Sequence, residues 1–136
     1  MMMMLRMFRP TIAAAGFMLA ASMVTAHAQG AEPKGPLAKP LLNLDLGPEM
    51  DTVQGRTLRM QLTTYEPGSS NKPHSHKDRP EVVYILSGRV IEHRGDVAKE
   101  YGPGDSFTAD HTTTHWMENK GSVPAVMLVT GIAKKE

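Results

Sequence analysis

No cysteine occurs in the 136 residues, and that absence removes disulfides, thiolate metal ligands and a thiol nucleophile together. Any metal must then be held by histidine and carboxylate. Charge of one sign is equally scarce as a pattern. Lys plus Arg number 15 against 14 for Asp plus Glu, with no block of like charge, so the chain lacks the basic footprint of a nucleic-acid binder. The partner expected is a small organic molecule. Beyond the N-terminal stretch no window keeps a helical period, and no internal repeat is visible, which leaves strands to build the core. The length has room for one domain and not two.

A long apolar run is missing as well. Residues 11–24 (TIAAAGFMLAASMV) fall short of the roughly 20 residues that a spanning helix needs. Arg6 and Arg9 precede this run and Ala26-His27-Ala28 follows it, so residues 1–28 read as a signal peptide, with a mature chain starting near Gln29. The protein expected is periplasmic or secreted, with no membrane attachment after cleavage. No cysteine follows the run to carry a lipid, and Arg6 and Arg9 are not adjacent, so export of an unfolded chain is expected. Seven of the eleven methionines leave with the signal. The four that stay (Met50, Met60, Met117, Met127) are scattered as gap-fillers, not gathered as a copper site.

Residues 29–48 form a Pro/Gly-rich arm without apolar period in its first part. Within it, residues 41–46 (LLNLDL) alternate, placing Leu42, Leu44 and Leu46 on one face of a half-buried strand. Residues 56–65 (RTLRMQLTTY) alternate again, with Leu58, Met60 and Leu62 on one side. Further strands are expected over residues 81–86, 89–93, 97–101, 106–109 and 125–130, punctuated by Gly and Pro. Many short strands at this spacing predict an antiparallel sandwich or barrel over residues 49–136.

Chemistry concentrates between Gly68 and Gly88 (GSSNKPHSHKDRPEVVYILSG). In a strand, side chains alternate faces, so His74 and His76 project together and both imidazoles reach one ion. Glu81 has the wrong parity for an unbroken strand. Pro80 interrupts the ladder and restricts Arg79, so a turn lets Glu81 begin the next strand facing the histidines. His111 and His115 in HTTTH invite a helical i, i+4 reading. That reading fails: the zinc-protease pattern needs a glutamate after the first histidine, and a threonine run is a poor helix former. His111 is expected in a loop at the site's mouth and His93 on the surface. Trp116 should face away from His115, and Met117 should share its face. Tyr65, Arg79 and Thr130 have the chemistry to meet a substrate, but a packed tyrosine and a mobile arginine are the expected account, and none of the three is counted in the site.

Gly68, His74, His76, Glu81 and Gly88 match every position of the first motif of the cupin superfamily, which the sequence closely resembles. Gly104, His115 and Asn119 match its second motif, with Asp110 and Thr112 standing where a proline and a glycine would be. The resemblance covers residues 58–129 and one motif pair. It implies a single-domain jelly-roll barrel, or double-stranded β-helix, with one divalent metal held by His74, His76, Glu81 and His115. Three imidazoles and a carboxylate suit Fe, Mn, Ni, Cu or Zn. The function implied is a metal-dependent enzyme, of dioxygenase or other oxidoreductase type, with Glu81 or a metal-bound hydroxide the placed candidate for moving a proton. The alternative is a binding module that holds a metal or small ligand and catalyses nothing. Metal acquired outside the cytoplasm should be zinc or copper by intrinsic affinity. The resemblance also implies a homodimer to which residues 41–46 contribute. Asn119 is expected to form a turn and not to ligate.

Overall fold

The computed structural model describes residues 34–136; the expected signal peptide lies outside them. Nine strands follow in order: β1 (Leu37–Asp45), β2 (Arg56–Tyr65), β3 (His74–Ser75), β4 (Glu81–Ser87), β5 (Val90–Arg94), β6 (Val97–Tyr101), β7 (Ser106–Ala109), β8 (Thr114–Glu118) and β9 (Ala125–Lys134). They pair antiparallel into two sheets, β1-β2-β9-β4-β7 and β3-β8-β5-β6. The core holds Tyr65, Val83, Ile85, Val90, Tyr101, Phe107, Met117, Ala125, Met127 and Val129. Burying one such aliphatic side chain contributes about 1.5–3 kcal/mol.

Boundaries of the β2, β6 and β7 strands fall where the alternation places them, because Gly, Pro and Asp end each run. The arm is more ordered than its composition implies. Leu37 to Pro40 join β1 and pair with β2, Pro40 being tolerable there because β1 is an edge strand that can spare a donor. Gly88 ends β4 at positive φ (70°). A Cβ there would lie 2.4 Å from Pro124 O, so this motif glycine is required by close backbone approach as well as by conformation.

One expectation is overturned. The apolar face of β2 is not the core face: Arg59, Gln61, Thr63 and Tyr65 line the interior cavity, while Leu58 turns outward beside Val82 and Ile132. Nor is β1 half-buried, since Leu42 is 70 % exposed and Leu44 48 %. Period-two alternation says which residues share a face, but not which face looks inward. Here the polar face of β2 is drawn in because the interior holds a polar site.

Candidate metal centre

Three elements meet at the site. His74 lies on β3 directly opposite His115 on β8. His76 follows one residue beyond β3, anchored through its N–H to Thr113 O at 2.9 Å. The Nε2 atoms converge: His74 to His76 is 3.0 Å and His76 to His115 is 3.0 Å. Among the described residues these three form the group able to hold a metal ion. His76 is only 1 % exposed and His115 5 %.

The opposite ring nitrogens show what the convergence means. His74 Nδ1 faces Lys72 O at 2.9 Å, His76 Nδ1 faces Arg79 O at 3.0 Å, and His115 Nδ1 faces a Glu92 oxygen at 2.6 Å. Carbonyls and carboxylates only accept, so each Nδ1 carries the proton and donates. Each Nε2 is then left with a lone pair aimed at the other two. Three lone pairs at this spacing repel unless a cation lies between them, and fixing the tautomer through Nδ1 is how proteins prepare histidine for a metal. The donor set therefore fits a divalent transition metal.

Burial pushes the His74 and His76 rings below their ordinary value of 6.5, in His76 against the pull of the Arg79 carbonyl and the Glu81 charge. Both stay neutral at pH 7 and ready to ligate. A group whose folded pKa is depressed binds fewer protons folded than unfolded, so metal-free protein loses stability as pH falls below about 6.5. A falling melting temperature between pH 7 and 5, recorded after metal removal by chelation, is the expected result; a flat profile would contradict it.

Glu81, the fourth expected ligand, stands apart from the three Nε2 atoms. Its Oε1 accepts from Arg59 Nη2 at 3.0 Å and its Oε2 lies 3.7 Å from His76 Nδ1, outside the group that the three histidines form. Of the other residues singled out, Tyr65 and Arg79 line the cavity, whereas Thr130 lies on the outer face. Met117 is inside, as its parity required. His111 is exposed in a turn. His93 is outside, stacked on Trp116 with ring centroids 3.8 Å apart and bonded to Glu118 at 2.7 Å. Asn119 spans the following loop, donating to Tyr65 O and Val123 O while accepting from Gly121 N.

Asp110 replaces the missing proline and glycine by another device. Its Oδ1 accepts from the Thr112 hydroxyl at 2.7 Å, the Thr112 N–H at 2.9 Å and the Thr113 hydroxyl at 3.1 Å. These bonds, the Thr112 hydroxyl foremost, hold its carboxyl down to about 2. An Asx turn thus shapes the loop that delivers Thr113 O to His76 and leads into His115.

Sequence reasoning missed Glu92. This carboxylate has a side chain only 3 % exposed. Burial pushes its pKa up, but hydrogen bonds from His115 and Arg94 outweigh that and leave it below its ordinary value. Parity could have found it: Glu92 shares a face with Val90 on β5, which pairs with β8 so that Glu92 is opposite Met117 and diagonal to His115. Arg59, Gln61 and Asn71 were missed with it; they line a cavity of about 300 Å³ over the histidines, together with Val83, Phe107 and Val129.

The Cupin domain family matches residues 61–131, just over half of the chain, and the chain belongs to that family. It is 31% identical over 106 residues to germin-like protein subfamily 2 member 1 of Arabidopsis thaliana, across 68% of this chain and 48% of that protein. The chain thus spans about half the length of this relative. Among solved structures, a predicted oxalate decarboxylase from Thermotoga maritima superposes with TM-score 0.57 at 24% identity, covering 71% of this chain and 79% of that one. Oxalate oxidase in complex with the substrate analogue glycolate gives 0.55 at 21% identity, covering 76% and 57%. At such identities the likeness is one of fold, and the fold is the cupin β-barrel.

Proposed function

We propose that this chain is an exported metal-dependent enzyme, of dioxygenase or other oxidoreductase type, acting on a small organic acid. The observation that carries this is the set of Nε2 lone pairs converging at a cavity that has one apolar wall (Val83, Phe107, Met127, Val129) and one cationic side (Arg59, Arg79). An anion entering there meets Arg79 and competes with Glu81 for Arg59, close to the histidines. The names of the structural relatives, an oxalate oxidase and a predicted oxalate decarboxylase, support a small carboxylate. Export rests on residues 1–28 alone.

A bound divalent metal would supply Lewis acidity and open positions for substrate and oxygen. His74, His76 and His115 would hold it, with Glu81 the proposed fourth ligand. The chain's own work is to orient the substrate through Arg59 and Arg79, to exclude water with the apolar wall, and to hold a proton acceptor in Glu81. Export favours copper or zinc by intrinsic affinity. An oxidoreductase needs a redox-active metal, so iron, manganese or copper is proposed in preference to zinc.

Elemental analysis of protein purified from the periplasm, with oxygen uptake and product formation followed over a panel of small carboxylic acids, tests both parts. Stoichiometric iron, manganese or copper with turnover of one panel member is the expected result. Stoichiometric metal without turnover of any member would overturn the enzyme reading in favour of a binding module.

The protein is also proposed to be a homodimer, packed through the outer face of the β1-β2-β9-β4-β7 sheet. Leu42, Leu44, Leu58, Val82, Tyr84 and Leu86 are all exposed there, on a face whose period-two partners are mostly apolar or threonine, which suits a second copy of the same face. Leu42→Glu should convert a dimer to a monomer in light scattering while leaving metal content unchanged; a wild-type monomer would remove the proposal.

A further inference from the structure

Arg59, Gly131 and Glu81 lie in one row across three neighbouring strands. Gly131 on β9 is opposite Arg59 on β2 and also opposite Glu81 on β4. Adjacent strands are about 4.8 Å apart, so the outer two residues of this row are separated by roughly twice that distance. Two long side chains can bridge such a gap only where the middle residue has no side chain. Gly131 meets that condition, since a Cβ on it would lie 2.4 Å from Glu81 Cγ and 2.6 Å from Pro80 O. The Arg59–Glu81 pair at 3.0 Å is the result. Its two side chains are 29% and 11% exposed, so Arg59 reaches the cavity mouth while the carboxylate stays inside.

The pair has a chemical consequence for the centre. A carboxylate held by a guanidinium is charge-compensated and less free to turn to the Nε2 convergence, and Glu81 stands outside the three-histidine group. We propose that Arg59 is a positioning residue that competes with the metal for Glu81. With the ion pair closed, the centre is a three-histidine site. An anionic ligand that takes Arg59 hands the carboxylate to the metal, so substrate charge is coupled to coordination number. This inference rests on the metal-centre reading above, and it adds a switch to that reading.

Cobalt(II), which replaces other divalent metals and whose visible absorption weakens as coordination number rises, tests this in chelator-treated full-length protein. Arg59→Gln should bind cobalt(II) roughly tenfold more tightly than wild type, the scale of change typical for residues that support ligands. Its visible absorption should also be weaker. Glu81→Gln should remove that gain when combined with Arg59→Gln. Arg59→Lys keeps the charge but not the fork, and it should fall between the two. It also secures the test if Arg59→Gln folds poorly, because an affinity no different from wild type in a folded Arg59→Lys protein counts against the proposal. Equal affinity and spectrum in wild type and Arg59→Gln, or a gain that survives Glu81→Gln, overturns it while leaving the metal centre intact. Absence of cobalt(II) binding in every form overturns the metal reading and this inference with it.

Discussion

Replacing His115 with alanine is expected to lower divalent-metal affinity by on the order of 100-fold or more, beyond the roughly 10–100-fold typical of outer-sphere losses. Its Nε2 is one of three converging donors, and nothing else within the described group replaces it. The remaining pair, His74 and His76, sits on one short segment and lacks the third donor that β8 supplies. His93→Ala is the matched control. It removes an imidazole from the outer face, where His93 stacks on Trp116, and should leave metal affinity unchanged. Isothermal titration with metal-free protein measures both. Equal losses in the two variants would mean that the converging histidines are not the ligands.

Glu92 should give the second large effect, and its two substitutions should separate two roles. Glu92→Gln keeps an acceptor for His115 Nδ1 but loses the charge that makes the ring a stronger donor to the metal; affinity should fall roughly 10–100-fold. Glu92→Ala also strips the buried acceptor from His115 (2.6 Å) and from Tyr101 Oη (3.3 Å). Each buried donor left unsatisfied costs about 1–3 kcal/mol, so thermal unfolding of the alanine variant should shift well below that of the glutamine variant. Arg94, with its side chain 41% exposed, regains water and adds little. If Glu92→Gln matches wild type in metal affinity, the carboxylate is only a structural hydrogen-bond partner.

The two missed groups share a physical cause. Glu92 and Arg59 are charged residues on strands, and charged residues on strands ordinarily face solvent. Both point inward here because a cluster of imidazoles and a cavity await them, and neither exists until β2, β5 and β8 are assembled. Leu58, Met60 and Leu62 show the converse. Their alternation is as clean as any in the chain, yet they lie on the outer face, because the inner side of β2 is taken by Arg59, Gln61, Thr63 and Tyr65. Asp110 was visible as a departure from the family pattern. That its carboxylate would rebuild the loop by accepting from Thr112 and Thr113 follows only from backbone geometry.

By itself the sequence determined that this is a cysteine-free, antiparallel β protein and that His74, His76 and His115 belong together. Strand periodicity, turn residues and motif spacing are local quantities, so they can be read along the chain. Only the tertiary structure decided which side of each strand looks inward, which acceptors fix the three tautomers, and that Glu81 is held by Arg59 across Gly131. Those outcomes depend on register between strands far apart in sequence, where a shift of one residue would turn every side chain to the opposite face.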